Sequence, residues 1–153
     1  MIEIKGNIWD FYKKDPEAYI CITTNGFVKN NGECVMGAGV AKEAKEKFPE
    51  FPKLLGTTIR SLKNNVLMFE GYRILTFPTK HNWFENSDPT LIKKSAEQLM
   101  KYINEFKIPR VYLPRPGCGN GKLKWKDVKL VIENILDDRV LIVSKEYNET
   151  NKI

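Results

Sequence analysis

The sequence predicts a three-layer α/β domain, a mixed central sheet with helices on both faces. Three observations predict it. Short apolar runs alternate with stretches whose apolar residues recur at three and four residues. One run leads directly into the glycine loop from Pro116 to Gly121, and another, Ala18 to Thr24, is followed through a polar loop by Gly37-Ala38-Gly39 at a helix start. A further pair of runs, about Gly71, has the spacing of a hairpin.

Taken in order, Ile2 to Lys5 alternates apolar and charged residues as a short strand does, and ends at Gly6-Asn7. Ile8, Trp9, Phe11 and Tyr12 form a compact aromatic cluster before a turn at Asp15-Pro16. Ala18 to Thr24 is nearly continuous in its apolarity at first, as expected of a strand buried on both faces. The first glycine loop precedes a helical run that stops near Pro49, and Phe51, Leu54, Leu55 and Ile59 suggest another short helix. Val66 to Glu70 and Tyr72 to Phe77 are the hairpin strands, the second delivering Pro78 to Trp83 into a loop. Asp88-Pro89 has the cap and first-turn chemistry that opens a helix, and Leu91, Ile92, Ser95, Leu99, Ile103 and Phe106 make its core-facing stripe. Arg110 to Pro114 is a strand that runs into the second glycine loop. Trp125, Val128, Ile132, Ile135 and Leu136 mark a last helix, and Val140 to Val143 a last strand. One domain over residues 1–153 is expected, with a polar tail after about residue 147.

Composition narrows the function classes. A net charge of +6 fits a polyanionic partner or substrate, although basic surfaces also serve solubility. The 3 cysteines, Cys21, Cys34 and Cys118, lack a Cys-x-x-Cys pairing and are expected as reduced thiols in a cytoplasmic protein. With a single histidine, His81, and no clustered ligands, no metal site is expected. No apolar run is long enough to span a bilayer, and Met1 to Ile4 does not have the form of a signal peptide.

The glycine loops carry the chemistry. Glycines between a strand and a helix start let backbone N–H groups approach an anion, and the helix start adds unpaired N–H groups with partial positive charge. Two such loops at carboxyl ends of strands, entering from one edge, are suited to closing over one diphosphate.

These residues resemble the macrodomain family. The resemblance rests on Thr23-Thr24-Asn25-Gly26, Val35 to Ala41, Lys80, and Pro116-Gly117-Cys118-Gly119-Asn120-Gly121-Lys122-Leu123-Lys124-Trp125, and spans Ile2 to about Tyr147. It is nearest the branch of the terminal ADP-ribose protein glycohydrolase and the DarG-type DNA ADP-ribosyl glycohydrolases. That resemblance implies a macrodomain-like sheet and an ADP-ribosyl hydrolase acting on ADP-ribosylated DNA or protein, with ADP-ribose as ligand and no cofactor. It implies an adenine site at Asn7 and Ile8, where the family usually has an aspartate in place of Asn7. Asn25 falls where an asparagine faces the distal ribose. Gly37, Ala38, Gly39 and Val40 fall on the loop around that ribose and the diphosphate, and Gly117, Cys118, Gly119, Asn120 and Gly121 on the opposing loop. Tyr147 falls where an aromatic covers the adenine. Lys80 matches the catalytic lysine, acting at the anomeric carbon of the distal ribose. A lysine that loses solvation among glycine loops exposes some neutral amine to attack that carbon, whereas an ammonium would protonate the leaving group.

The chain departs from the protein-directed enzyme at one place. That enzyme has an aspartate just after its second glycine loop, where Gly121 stands here beside Asn120. The Gly-Asn-Gly form is similar to the DNA-directed branch, so DNA-linked ADP-ribose is favoured and an acidic protein side chain comes next. A non-catalytic ADP-ribose reader, or a hydrolase of O-acetyl-ADP-ribose or ADP-ribose 1''-phosphate, is the alternative. A monomer is expected. Among the remaining residues, Trp83 and Phe84 either stack on a base or pack over their loop. His81 is expected to make a local hydrogen bond, Cys118 to be a small filler, and Trp125 to anchor its helix.

Overall fold

The computed structural model describes residues 1–145. Its strands are β1 (Ile2–Lys5), β2 (Tyr19–Asn25), β3 (Met68–Phe69), β4 (Ile74–Lys80), β5 (Val111–Pro114) and β6 (Val140–Ser144). Its helices are α1 (Ile8–Lys14), α2 (Gly39–Lys47), α3 (Phe51–Leu62), α4 (Pro89–Phe106) and α5 (Trp125–Ile132). The strands form one sheet in the order β1-β6-β5-β2-β4-β3, parallel throughout except for the antiparallel β3–β4 pair. The sheet is mixed, as the sequence predicts.

Strand periodicity creates the three layers. On one face Ile20 and Ile22 of β2, Ile74 of β4 and Tyr112 of β5 pack with Trp9, Ala44, Phe51 and Leu55 from α1, α2 and α3. On the other, Cys21, Leu75, Phe77, Val111 and Leu113 pack with Ile92, Leu99, Val128 and Ile132 from α4 and α5. Successive residues of a strand point to opposite faces, so one apolar run serves both cores. Burial pushes the Cys34 thiol up to about 12, and that of fully buried Cys21 higher still, leaving both as inert apolar filler.

Three local features differ from the expectation. The aromatic cluster is a helix, α1, whose N-cap Asn7 accepts a hydrogen bond from the Trp9 N–H at 2.9 Å. The reversal between β3 and β4 is a 3₁₀ turn over Glu70–Tyr72, and Arg73, rather than Gly71, takes the left-handed conformation at φ 53°. Arg73 is held there by donating to the Asp15, Ala18 and Tyr12 carbonyls and by lying over the Tyr12 ring at 4.0 Å. Finally, β4 continues through Pro78 to Lys80 where a loop was expected. Proline is tolerated because β3 pairs only with Ile74 and Leu75, so the outer edge of β4 at Pro78 has no strand partner.

The Asp15-Pro16 turn is tied to the sheet by Arg110, which donates to both Asp15 carboxylate oxygens, while the Tyr112 hydroxyl donates to one of them. The Arg110 hydrogen bond, opposed by desolvation and helped by Tyr112, holds the Asp15 carboxyl below its ordinary value. A carboxyl whose pKa is depressed on folding stabilises the fold fully above its unfolded pKa, about 3.9, and progressively less as pH falls through the folded value. Asp15→Asn should therefore lower Tm by roughly 2–4 °C at pH 7, with the difference shrinking as pH falls below the unfolded value and through the depressed folded one. Melting curves of both proteins from pH 2 to 8 test this; a difference that grew on acidification would refute it.

Candidate active site

A cleft of about 940 Å³ opens at the carboxyl ends of the strands. Its floor comprises Thr23, Thr24 and Asn25 from β2, Thr79 and Lys80 from β4, and Pro114 and Arg115 at the end of β5. The chain leaves β2 toward β4 on one side and β5 toward β6 on the other, so the cleft lies where the strand order diverges.

The first wall is the Val35–Ala41 stretch. Asn25 sets it: its amide oxygen accepts the Phe27 N–H and its amide nitrogen donates to the Val35 carbonyl, each at 3.0 Å, closing the intervening loop. Ala38 is the N-cap of α2 and supplies no side-chain hydrogen bond, so the first N–H groups of that helix stay open. Gly39 has φ +57° and empty space around the position of a Cβ, so glycine is needed there for its backbone angle rather than for room.

The opposite wall is Gly117–Lys122. Gly119–Gly121 forms a 3₁₀ turn, and a Cβ on Gly121 would stand 2.3 Å from the Ser87 hydroxyl. Ser87 donates its backbone N–H to the Gly121 carbonyl at 3.0 Å, and the next residue, Asp88, donates its own to the Thr79 carbonyl at 2.8 Å. The second glycine loop is thereby joined to the strand that carries Lys80. Cys118 packs in this loop with its thiol pushed up by burial, which suits a filler and not a nucleophile.

Lys80 ends β4 and pairs in register with Asn25, across a bulge in β4 that leaves Thr79 unpaired. It is only 9% exposed. Its Nζ donates to the Trp83 carbonyl at 3.4 Å, and its own carbonyl accepts from Asn64 at 3.0 Å. The lysine is thus held at both ends, with donors left over toward the cleft.

The sequence-predicted residues divide. Asn25, Gly37 to Val40, Lys80 and Gly117 to Gly121 all line the cleft. Asn7 and Ile8 do not line it, but flank the end near Lys145, since the Gly6 N–H donates to the Ser144 carbonyl at 2.9 Å. Tyr147 lies outside the described residues. Lys122 of the second motif lines the cleft too, as do Ser87, Glu85, Arg115 and Lys145, which no sequence motif marks. Arg115 and Lys145 immediately follow strands, and that position was the available signal. His81 turns away to bond Asp88 at 2.8 Å, and this bond is the chief cause that keeps the Asp88 carboxyl below its ordinary value. Trp125 packs at the core margin while donating to Glu3 at 2.8 Å. Among the described residues no three His, Cys, Asp or Glu side chains converge as metal ligands would.

No protein-family model matches the chain. The fold does match solved structures, among them the macrodomain of Thermus aquaticus DarG, with a TM-score of 0.74 and 26% identity over 95% of this chain and 97% of that one. The chain has the macrodomain fold. Curated relatives of this macrodomain include ADP-ribose glycohydrolase OARD1 of Homo sapiens, 28% identical over 134 residues, 88% of this chain and 82% of that protein. A DNA ADP-ribosyl glycohydrolase of Mycobacterium tuberculosis is 29% identical over 131 residues, 78% of this chain but 35% of that protein. The chain is thus similar in sequence to proteins whose names specify ADP-ribosyl chemistry.

Proposed function

We propose that this macrodomain hydrolyses the bond between the distal ribose of ADP-ribose and a modified macromolecule, with DNA-linked ADP-ribose as the favoured substrate. Lys80 carries this reading: a nearly buried amine on the floor of a polar cleft, between two glycine loops, is suited to an anomeric carbon held above it. The open helix start of α2 and the backbone of Gly117 to Gly121 would take the diphosphate, fixing the ribose over the amine. Asn25 would orient the ribose hydroxyls with the amide hydrogen that its loop contacts leave over. The names of the relatives support the reaction class. The Gly-Asn-Gly loop, the net charge of +6 and the cleft cations Arg115, Lys122 and Lys145 support a nucleic-acid substrate.

The test offers wild-type protein three substrates side by side: mono-ADP-ribosylated single-stranded DNA, a protein ADP-ribosylated on glutamate, and O-acetyl-ADP-ribose. ADP-ribose should be released fastest from the DNA. Calorimetry should detect free ADP-ribose binding, and saturating ligand should raise Tm, by about 2.7 kcal/mol of added stability at a hundred times Kd. Release from the protein substrate alone would move the assignment to protein, and binding without release from any substrate would make the cleft a reader.

A further inference from the structure

A second cavity, of about 260 Å³, adjoins the cleft on the far side of Trp83. Phe27, Met36, Lys29 and Lys45 line it, and it shares Trp83 and the Val35 and Gly37 positions with the cleft. Trp83 is 50% exposed and its neighbour Phe84 66%, the two rings meeting edge to face at 5.6 Å. Packing over the loop therefore does not account for Trp83, because half of a large apolar side chain stays in water. Among the described aromatic pairs its one ring partner is Phe84, which is still more exposed.

The cavity stands one hydrogen bond from the reactive end of the cleft. The same residue that walls it, Trp83, receives the Lys80 Nζ on its backbone carbonyl. With the anomeric carbon placed over Lys80 as proposed, the group attached to it would lie near this wall. The rim is cationic: Lys45 has no carboxylate within ion-pair distance among the described residues, and Lys29 has Glu33 only at 3.9 Å. Aromatic walls with lysines at the rim suit a flat apolar ring flanked by phosphates, the combination that single-stranded nucleic acid presents and a stacked duplex withholds. An acidic peptide would satisfy the lysines but gain little from the aromatic faces.

We propose that this cavity takes an unpaired base of the strand that bears the ADP-ribose, next to the modified nucleotide, which rests on reading the cleft as acting on DNA-linked ADP-ribose. Phe27 and Trp83 stack the base, and Lys29 and Lys45 meet the flanking phosphates. The cavity would then select single strands over duplex and set KM for polymeric substrates.

The test needs no turnover, so it separates this site from the reaction. A fluorescent, unmodified oligothymidylate is titrated by anisotropy into wild type, Phe27→Ala, Trp83→Ala and Lys45→Glu at several salt concentrations. Wild type should bind, and each aromatic truncation should weaken binding roughly five- to a hundred-fold. Lys45→Glu should flatten the dependence of log Kd on log salt by about 0.7 or more. ADP-ribose affinity of Phe27→Ala and Lys45→Glu, measured by calorimetry, should stay unchanged, which also reports that both variants are folded. Absence of oligonucleotide binding by wild type would overturn the proposal. So would unchanged affinity in Phe27→Ala and Lys45→Glu, or competition by polyglutamate or duplex DNA as strong as that by the single strand. Oligonucleotide binding that persists without release of ADP-ribose from DNA would instead count against the reaction and leave this cavity standing.

Discussion

Lys80→Ala should lower ADP-ribose release by roughly 10²–10⁴-fold while leaving ADP-ribose binding within a few-fold of wild type. The two effects separate because the proposed diphosphate contacts come from backbone N–H groups of other elements, Gly37 to Val40 and Gly117 to Gly121. Lys80→Arg tests whether positive charge alone suffices, since a guanidinium keeps its charge but offers neither a lone pair nor a proton, and borohydride trapping then separates the two roles of the amine. If the amine attacks, its lone pair bonds to the anomeric carbon, and the macromolecule departs with a proton. The opened ribose then forms an imine, to which water adds to regenerate the lysine. Borohydride should reduce that imine and leave ADP-ribose covalently attached to Lys80. If Lys80 instead protonates the leaving group, borohydride traps no adduct, and Lys80→Arg is again impaired because a guanidinium does not release its proton. Turnover by Lys80→Ala at the wild-type rate would remove the lysine from the chemistry.

Gly56→Ala should destabilise the protein by about 3 kcal/mol. Elsewhere the exchange of a helical glycine for alanine stabilises a helix by about 1 kcal/mol, so the expected sign runs against intrinsic propensity. The reason is packing. A Cβ on Gly56, buried within α3, would stand 2.0 Å from the Gly32 carbonyl oxygen and 3.2 Å from the Cys34 backbone nitrogen. Both are main-chain atoms, which cannot swing aside as a flexible side chain does. The Cys34 N–H also donates to the Pro52 carbonyl at 2.9 Å, so the loop would have to lift from the helix and lose that bond. Since the same loop leads into Val35 and the first glycine wall, ADP-ribose affinity should fall with stability. Denaturant midpoints and calorimetry on the variant measure both; a higher midpoint for Gly56→Ala would show that the loop yields freely.

Much of this architecture was legible because burial leaves periodic marks. The near-continuous apolarity of β2 and the three-and-four spacing of α4 are each what a two-faced strand and an amphipathic helix require. Both glycine walls were legible for a related reason, since left-handed backbone at Gly39, Gly117 and Gly119 leaves few residue choices. What escaped was decided by contacts distant in sequence. Arg73 takes a left-handed conformation because carbonyls some 55 residues away hold its guanidinium, and nothing local marks that. Pro78 argued for a loop by its chemistry, and only the two-residue length of β3 makes it acceptable in a strand. The exposure of Trp83 likewise follows from the path of the 81–88 segment rather than from its composition.

Ser87 gives the site a mechanical property. Its backbone ties the second glycine wall to the segment after Lys80, and its hydroxyl fills the space that any side chain at 121 would need. The lysine and the wall facing it are therefore one cassette. A transplant of residues 80–88 into another scaffold would arrive without its counterpart unless 117–121 travelled too. Any drift that placed an acidic side chain at 121 would first have to shrink or relocate residue 87.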